Sequence, residues 1–585
     1  MLTDVLSNFI KQAFTRLGYD EKYGGVVRSQ RPDLCQFQCN GAMSASKEYK
    51  KAPFIISDEV IAELKSFEGI DEIIEFIETV KPGFINITLK DSYLANHMNH
   101  LASDPRVGCE IVNNPLKIIM DYGGPNIAKP LHVGHLRSAI IGESLKRLMR
   151  FLGHDVIADT HLGDWGLQMG MIISECERRY AGLPYFDDAF LGEYPTEPPF
   201  SLDDLAQIYP YISKLSKEDE NVLASAKEAT FKLQNGSKGY LALWQHIVDV
   251  SLNDIKINYK RLNVDFDLWY GESHSNPFVS KVVNHLENKE VVYESEGALV
   301  VDILTTEDEQ ALPPLLLYKT DGSILYTTTD LATLYQRMED FNPDIILYVV
   351  DNRQSTHFKQ VFLCAYQNGI VPEKTSLEHI GFGTMNGKDG KPFKTRDGGT
   401  IKLSELIDMV EANAREKVRD KEDLDVNTIS KQIGLATLKF ADLSNFRTKD
   451  YVFDLEKFSS FEGKTGPYLL YSYVRLNNII KKLQDLNITP SNIALPASEV
   501  ERNIFLKLNE LPEVLNLAAK DRAPSIVCEY VYDLSTLVNA FYHTHHILNQ
   551  EDVNQQKSWM ALCQLIITVM NICLNILGIE VPEKM

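Results

Sequence analysis

Residues 116–158 restrict this chain to few folds. The run LKIIM (116–120) has the length and apolarity of a buried strand and ends at Asp121. A Gly/Pro loop, YGGPNIAKP (122–130), follows. Leu136, Ile140, Ile141, Leu145 and Leu148 then fall on one stripe of a helix predicted over 133–152. Gly153 stands where a helix-ending glycine belongs, and 156–158 reads as a second strand. Strand, loop, helix, strand is the opening of a doubly wound parallel sheet, whose ligands bind at the carboxyl edge. The pattern resumes with a strand at 345–350, a helix at 358–367 and a strand at 379–383. The stretch between, about 170–320, is Pro-rich, aromatic and acidic, with 11 acids and 4 bases in 171–225, and reads as an insertion.

A chain of 585 residues has room for several domains. Residues 1–108 read as a small α+β unit, with helices at 2–17 and 57–79 and a strand at 84–89 after the turn Lys81-Pro82-Gly83. Asp104-Pro105 marks its end, because proline restricts its predecessor. Residues 109–420 would hold the sheet and its insertion. Apolar residues then recur at three and four in 403–418, 429–440, 468–483, 501–517, 526–541 and 559–577, which predicts helix from about Ser404 onward and a helical-bundle domain over 421–585. The expected fold is therefore α/β plus all-α and multidomain, with an α+β unit in front.

Composition narrows the function. No run reaches the roughly 18 consecutive apolar residues of a membrane span. The amphipathic start MLTDVLSNFIKQAFTRLGYD lacks the apolar stretch and cleavage site of a signal peptide. A cytoplasmic protein without a membrane partner is expected. Among eight cysteines only Cys35 and Cys39 are close, as C-x3-C with no second pair, so reduced buried thiols and no protein metal site are expected. The net charge of −22 argues against a general nucleic-acid coat and against a DNA partner. The charge is uneven: 421–585 carries 16 bases against 20 acids, and the other 420 residues carry 43 against 61. A local basic face for a polyanion remains open.

Two motifs carry chemistry. His132-Val133-Gly134-His135 opens the predicted helix, where free N–H groups and the positive dipole end suit phosphate. Gly134 allows close approach to the backbone, and two imidazoles can donate to phosphate oxygens as charge develops. The same residues also read as surface histidines or as two metal ligands, although no third ligand stands at a recognisable spacing. The second motif, KDGKPFKTR (388–396) followed by Gly398-Gly399, puts four bases in nine positions of a Gly-rich loop. Alone it reads equally as a solvated turn; with HVGH it can clamp a triphosphate at the carboxyl edge.

HVGH resembles the HIGH signature of class I aminoacyl-tRNA synthetases, and KPFKT loosely resembles KMSKS. The nearer resemblance is to the arginyl-tRNA synthetases. It is carried by PNIAKPLHVGHLRSAIIG (125–142), THLGDWGLQMG (160–170) and GKDGKPFKTRDGGTIKL (387–403), and by LATLKFADLSNFRTKDYVFD (435–454), GPYLLYSYVR (466–475) and the closing LGIEVPEKM (577–585). CQFQCNGAM (35–43) and PGFINI (82–87) resemble the family's N-terminal domain, which touches the tRNA elbow. The resemblance implies a Rossmann catalytic domain and a helical anticodon-binding domain. It implies ATP-dependent activation of L-arginine and transfer to tRNA(Arg), with Mg²⁺ bridging phosphates and tRNA needed for activation.

Carried over by resemblance, His132, His135 and Lys394 would be catalytic, and Pro125, Lys129, Gly134 and Lys391 would join them around ATP. Pro392 and Phe393 depart from KMSKS, which leaves the division of labour among Lys129, Lys391 and Lys394 open. Asp121, Asn126, Tyr326, Asp330 and Gln354 would line the arginine pocket; taken alone, Asp330 reads as a helix N-cap before LATLYQRM. Arg447, Lys449 and Arg475 are the tRNA candidates. Aromatics near them, Tyr468, Tyr471, Tyr473, Tyr530, Tyr532, Phe541, Tyr542 and His543, read either as stacking platforms or, for most, as bundle core. A monomer is expected. The rivals are a class I synthetase of other specificity, a small nucleotidyltransferase and a non-enzymatic tRNA-binding paralogue. The missing Cys/His cluster weakens a cysteinyl specificity, the long helical end weakens the nucleotidyltransferase, and the intact histidines and loop lysines weaken the paralogue.

Overall fold

Leu2, Leu6, Ile10, Ala13 and Phe14 recur at helical spacing, so helix Leu2–Arg16 buries one stripe. With helix Pro53–Leu64 it packs on an antiparallel sheet of β1 (Val26–Arg28), β2 (Phe37–Cys39), β3 (Ile74–Val80) and β4 (Phe84–Leu89), ordered β1-β2-β4-β3. The structure is a computed structural model that describes residues 1–31, 33–305, 312–320, 324–391, 393, 401–419 and 425–585. The helix expected over 57–79 ends at Leu64, and Ile74–Val80 is a strand. Its β-branched residues pair across the hairpin, Ile77 opposite Ile87 and Thr79 opposite Ile85, and that cross-strand pairing overrides helical spacing.

Helix Asp91–Ser103 carries this unit onto the C-terminal bundle. Asn99 exchanges hydrogen bonds with the Ile493 backbone at 2.8 and 2.7 Å, and Asp91 pairs with Arg502 at 2.5 Å.

The central sheet holds β5 (Lys117–Tyr122) and β6 (Asp155–Asp159), joined by helix Val133–Leu152. That helix ends at Gly153 with φ 99°, the left-handed C-cap. The insertion is largely helical, with helices Leu167–Arg179, Leu202–Glu218, Glu220–Gln234, Lys238–Arg261 and Glu272–Asn288. A small antiparallel sheet comes next, of β7 (Val292–Ser295), β8 (Ala298–Val301) and β9 (Leu315–Tyr318). Helix Tyr326–Phe341 returns the chain to β10 (Ile345–Val349), and helix Ser355–Gln367 leads to β11 (Ser376–His379). The parallel order is β11-β10-β5-β6, so the winding reverses between β5 and β10. Ser138 spans that reversal: its hydroxyl accepts from the Gly123 N–H and donates to the Val349 carbonyl, both at 2.7 Å.

β12 (Met385–Asn386) pairs in parallel with β13 (Tyr451–Val452), which ties the sheet domain to the helical bundle. The bundle is built from helices Leu403–Val418, Val426–Leu443, Gly466–Asp485, Glu499–Asn509, Leu511–Lys520, Pro524–Thr544 and Val553–Ile576. The single helix expected over 501–517 is two, because Pro512 starts a new helix where its missing N–H costs nothing. Val553–Ile576 has a window of mean hydropathy 1.8, long and apolar enough to cross a membrane; 67% of that window is buried, and the helix serves as a bundle core. All eight cysteines are buried free thiols.

Candidate active site

His132 is the N-cap of helix Val133–Leu152, and its Nδ1 accepts from the Gly134 N–H at 3.0 Å. The His135 Nδ1 accepts in return from the His132 N–H, also at 3.0 Å, a reciprocal capping box made by two imidazoles. A Cβ on Gly134 would lie 2.7 Å from the His132 ring, so the glycine makes room for that ring. Both Nδ1 atoms accept, so the hydrogen-bond network assigns the ring proton to Nε2 in both residues. Burial lowers the His132 pKa; burial and the neighbouring His132 push His135 down to about 3. Both rings, 4.0 Å apart, are neutral donors.

The loop before the helix is held from the next motif. The Ile127 N–H donates to Gly163 at 3.0 Å, the Gly163 N–H donates to Pro125 at 3.1 Å, and Gln168 donates to the Ile127 carbonyl at 2.6 Å. Asn126 faces Gly163 so closely that a Cβ there would lie 2.3 Å from its Oδ1. Lys129 sits over the Tyr209 ring at 4.2 Å.

The second motif meets the first. The Val133 N–H donates to Ile401 at 3.1 Å and the Leu403 N–H to Leu131 at 2.8 Å, so the chain leaving the basic loop pairs with the HVGH turn. At the loop's start, Gly387 donates to the Lys391 carbonyl at 2.8 Å and Phe393 to Met385 at 3.1 Å. Lys391 is exposed at this turn, whereas Lys388 pairs with Asp454 at 3.2 Å. Lys394, with Thr395, Arg396, Gly398 and Gly399, lies outside the described residues.

A group of acids stands beside the switch point between β5 and β10, where the Asp330 and Asp164 charges bear on Glu272. Asp330 stands in the second turn of helix Tyr326–Phe341, whose N-cap is Leu325, which removes the capping role for Asp330. Its Oδ2 lies 2.5 Å from the His357 Nε2. Tyr326, near Glu272 and Asp330, is 69% exposed, and Gln354 is exposed on the turn Asn352–Gln354 after β10. Glu272, at the start of helix Glu272–Asn288, is buried; burial first, then the Asp164 and Asp330 charges, push its carboxyl up to about 7 against the opposing pull of His161.

Asp121 is not open to a ligand in the way the sequence suggested. It and Asp159 share the buried Arg337 guanidinium, each at 2.7 Å. Asp121, Asp159 and His161 are the one metal-like cluster among the described residues, and the Arg337 guanidinium already occupies one oxygen of each carboxylate, which makes them a poor seat for a metal ion.

On the bundle surface Arg475 lies between the rings of Tyr471 and Tyr542, 4.5 and 4.4 Å from their centroids, and donates to the Tyr471 hydroxyl at 2.7 Å. Tyr530 and Phe541 are core, and Tyr468 and Tyr532 pack on each other at 5.7 Å. Lys449 is exposed; Arg447 is half-buried and donates to the Asp521 carbonyl at 3.1 Å.

Three family models match the chain: tRNA synthetases class I (R), catalytic domain, over 98–455; DALR anticodon binding domain over 469–585; and Arginyl tRNA synthetase N terminal domain over 2–89. An arginine–tRNA ligase of Alkaliphilus oremlandii is 50% identical across the full length of both chains. The chain belongs to the arginyl-tRNA synthetase family. The arginine–tRNA ligase of Agathobacter rectalis is 48% identical, again over the whole of both chains. The arginyl-tRNA synthetase of Plasmodium falciparum has a TM-score of 0.81 at 25% identity, covering 100% of this chain and 99% of its own. That of Thermus thermophilus shares the fold with a TM-score of 0.78 at 20% identity and full coverage of both.

Sequence reasoning missed Glu272, His357 and Arg337 in this synthetase. Glu272 looks like any acid in a first helical turn. His357 and Arg337 have meaning only through partners 27 and 216 residues away in sequence.

Proposed function

We propose that the region between the HVGH turn and Asp330 is where this arginine–tRNA ligase joins L-arginine to ATP before transfer to tRNA(Arg). The pairing of 131–133 with 401–403 supports the reading, because it holds the chain leaving the basic loop against the HVGH turn. His132 and His135 would donate through Nε2–H to phosphate oxygens, beside Pro125, Lys129 and Gly134. Lys391 and Lys394 would close on the triphosphate from the loop. The arginine carboxylate attacks the α-phosphate, pyrophosphate leaves, and a terminal ribose hydroxyl of tRNA then attacks the adenylate's carbonyl and expels AMP. The work of the protein is positioning and charge stabilisation. Mg²⁺ would arrive on the nucleotide's phosphates, with no seat of its own among the described side chains.

Asp330, Tyr326 and Gln354 would take the guanidinium, with Glu272 adding negative charge, and Asn126 the amino-acid end; Asp121 would act there through Arg337. Lys449, Arg475 and its flanking tyrosines, and Arg447 to a lesser degree, would meet tRNA. The test is arginine-dependent ATP–pyrophosphate exchange, with and without tRNA(Arg). Exchange is expected only with arginine and tRNA both present. Full exchange with lysine in place of arginine would refute the pocket assignment.

A further inference from the structure

The family resemblance puts the Asp330 carboxylate in the guanidinium pocket, with Tyr326 and Gln354. The structure gives that carboxylate a partner of its own. Asp330 projects from helix Tyr326–Phe341 and His357 from the first turn of helix Ser355–Gln367, with the His357 Nε2 and the Asp330 Oδ2 2.5 Å apart. Both side chains are only about a quarter exposed, at 25% and 21%. The imidazole lies edge-on to Phe358 at 5.3 Å, and Phe358 is itself held against Tyr348 and His379 at 4.9 and 5.1 Å. The donor is therefore mounted on a packed aromatic cluster, not on a mobile surface.

We infer that His357 is a positioning residue for arginine recognition: it donates to Asp330 Oδ2 and so aims Oδ1 at the guanidinium. This rests on the assignment of Asp330 to the arginine pocket. An ionised carboxylate has about four acceptor sites, so one bond from His357 leaves enough for the ligand. The bond removes the rotational freedom that a short Asp side chain would otherwise lose on binding. Arginine is thus met by one pre-aimed oxygen beside a second acid, not by a free bidentate carboxylate.

The experiment compares His357→Ala, His357→Gln, Asp330→Ala and the double variant His357→Ala/Asp330→Ala in the full chain. It measures kcat and KM for arginine and for ATP, by pyrophosphate exchange with tRNA(Arg), alongside melting temperature. His357→Ala should raise the arginine KM on the order of tenfold, the scale of a hydrogen bond to a charged group, with kcat and the ATP KM nearly unchanged. His357→Gln restores a donor and should recover most of it. The double variant should be no worse than Asp330→Ala, because His357 acts only through Asp330. An unchanged arginine KM in His357→Ala, with a raised one in Asp330→Ala, overturns the positioning role and leaves the Asp330 assignment standing. An unchanged KM in Asp330→Ala removes that assignment and this inference together. A joint loss of kcat, ATP affinity and melting temperature that glutamine does not rescue would make His357 a structural residue and overturn the proposal.

Discussion

At the scale of single residues, His132 and His135 each serve the fold and the chemistry with different nitrogens. Their Nδ1 atoms cap the helix and their Nε2–H groups remain for substrate. Replacing His135 by alanine should lower exchange about 10²–10³-fold, the effect of one lost transition-state donor. It should also cost about 1 kcal/mol of stability through the lost cap. His135→Gln should restore the melting temperature without the rate, and a variant that keeps its rate would remove the catalytic role. Glu272 has a pH signature. Its carboxyl is raised from 4.5 to about 7, chiefly by burial, with His161, Asp164 and Asp330 facing it. Below about 7 it is protonated and no longer attracts a guanidinium, so kcat/KM for arginine should fall there, and Glu272→Gln should flatten that limb. Stability runs the other way. Between 4.5 and 7 the unfolded chain gives up this proton first, so the wild type loses stability as pH rises. The glutamine variant should therefore gain melting temperature over the wild type above 7 and match it below 4.5.

At the scale of elements, helix Val133–Leu152 is the joint between three parts of the molecule. Arg137, 2% exposed, pairs through Nε with the fully buried Asp442 of helix Val426–Leu443 at 2.9 Å. Its Nη1 donates to the carbonyls of Gly383 at 2.7 Å and Lys449 at 3.2 Å, just before β12 and β13. The HVGH helix, the base of the basic loop and the bundle are thus fixed to one guanidinium. Arg137→Met should cost about 3–5 kcal/mol, because it strands a buried carboxylate. Adding Asp442→Leu should recover much of that loss, since the second charge no longer needs a partner. Denaturant midpoints of the wild type, both singles and the double decide it: a double as unstable as the sum of the singles would show that the pair is not the source of the cost.

At the scale of the whole molecule, a chain of charge −22 has to hold a polyanion through local contacts. Affinity for tRNA(Arg) should fall steeply with salt. Removing Lys449 or Arg475 should each reduce the log–log slope by up to about 0.7–0.9, one counterion per lost phosphate contact. A slope unchanged in both variants would place the contacts elsewhere. Deleting 421–585 would not test this cleanly. Helix Val426–Leu443 is packed into the core, with Lys439 fully buried and donating to the Gly578 carbonyl at 2.9 Å, so the catalytic region would lose its support together with its charge.

Local pattern alone determined the strand–loop–helix start, the 133–152 helix to its last residue, the bundle and the two signature motifs. These are read from spacing and from cap chemistry that act within one element. The strand at Ile74–Val80 depended on cross-strand pairing, which spacing does not encode, and the break at 512 on a proline that apolar spacing alone reads through. The acidic group was legible only in part. Tyr326, Asp330 and Gln354 came from family resemblance, but the partner of each acid did not. Asp121 is bound to Arg337 and Asp330 to His357, while Glu272 draws its raised pKa from burial that only the folded insertion creates. A carboxylate's role is set by what surrounds it, and those surroundings come from residues far apart along the chain.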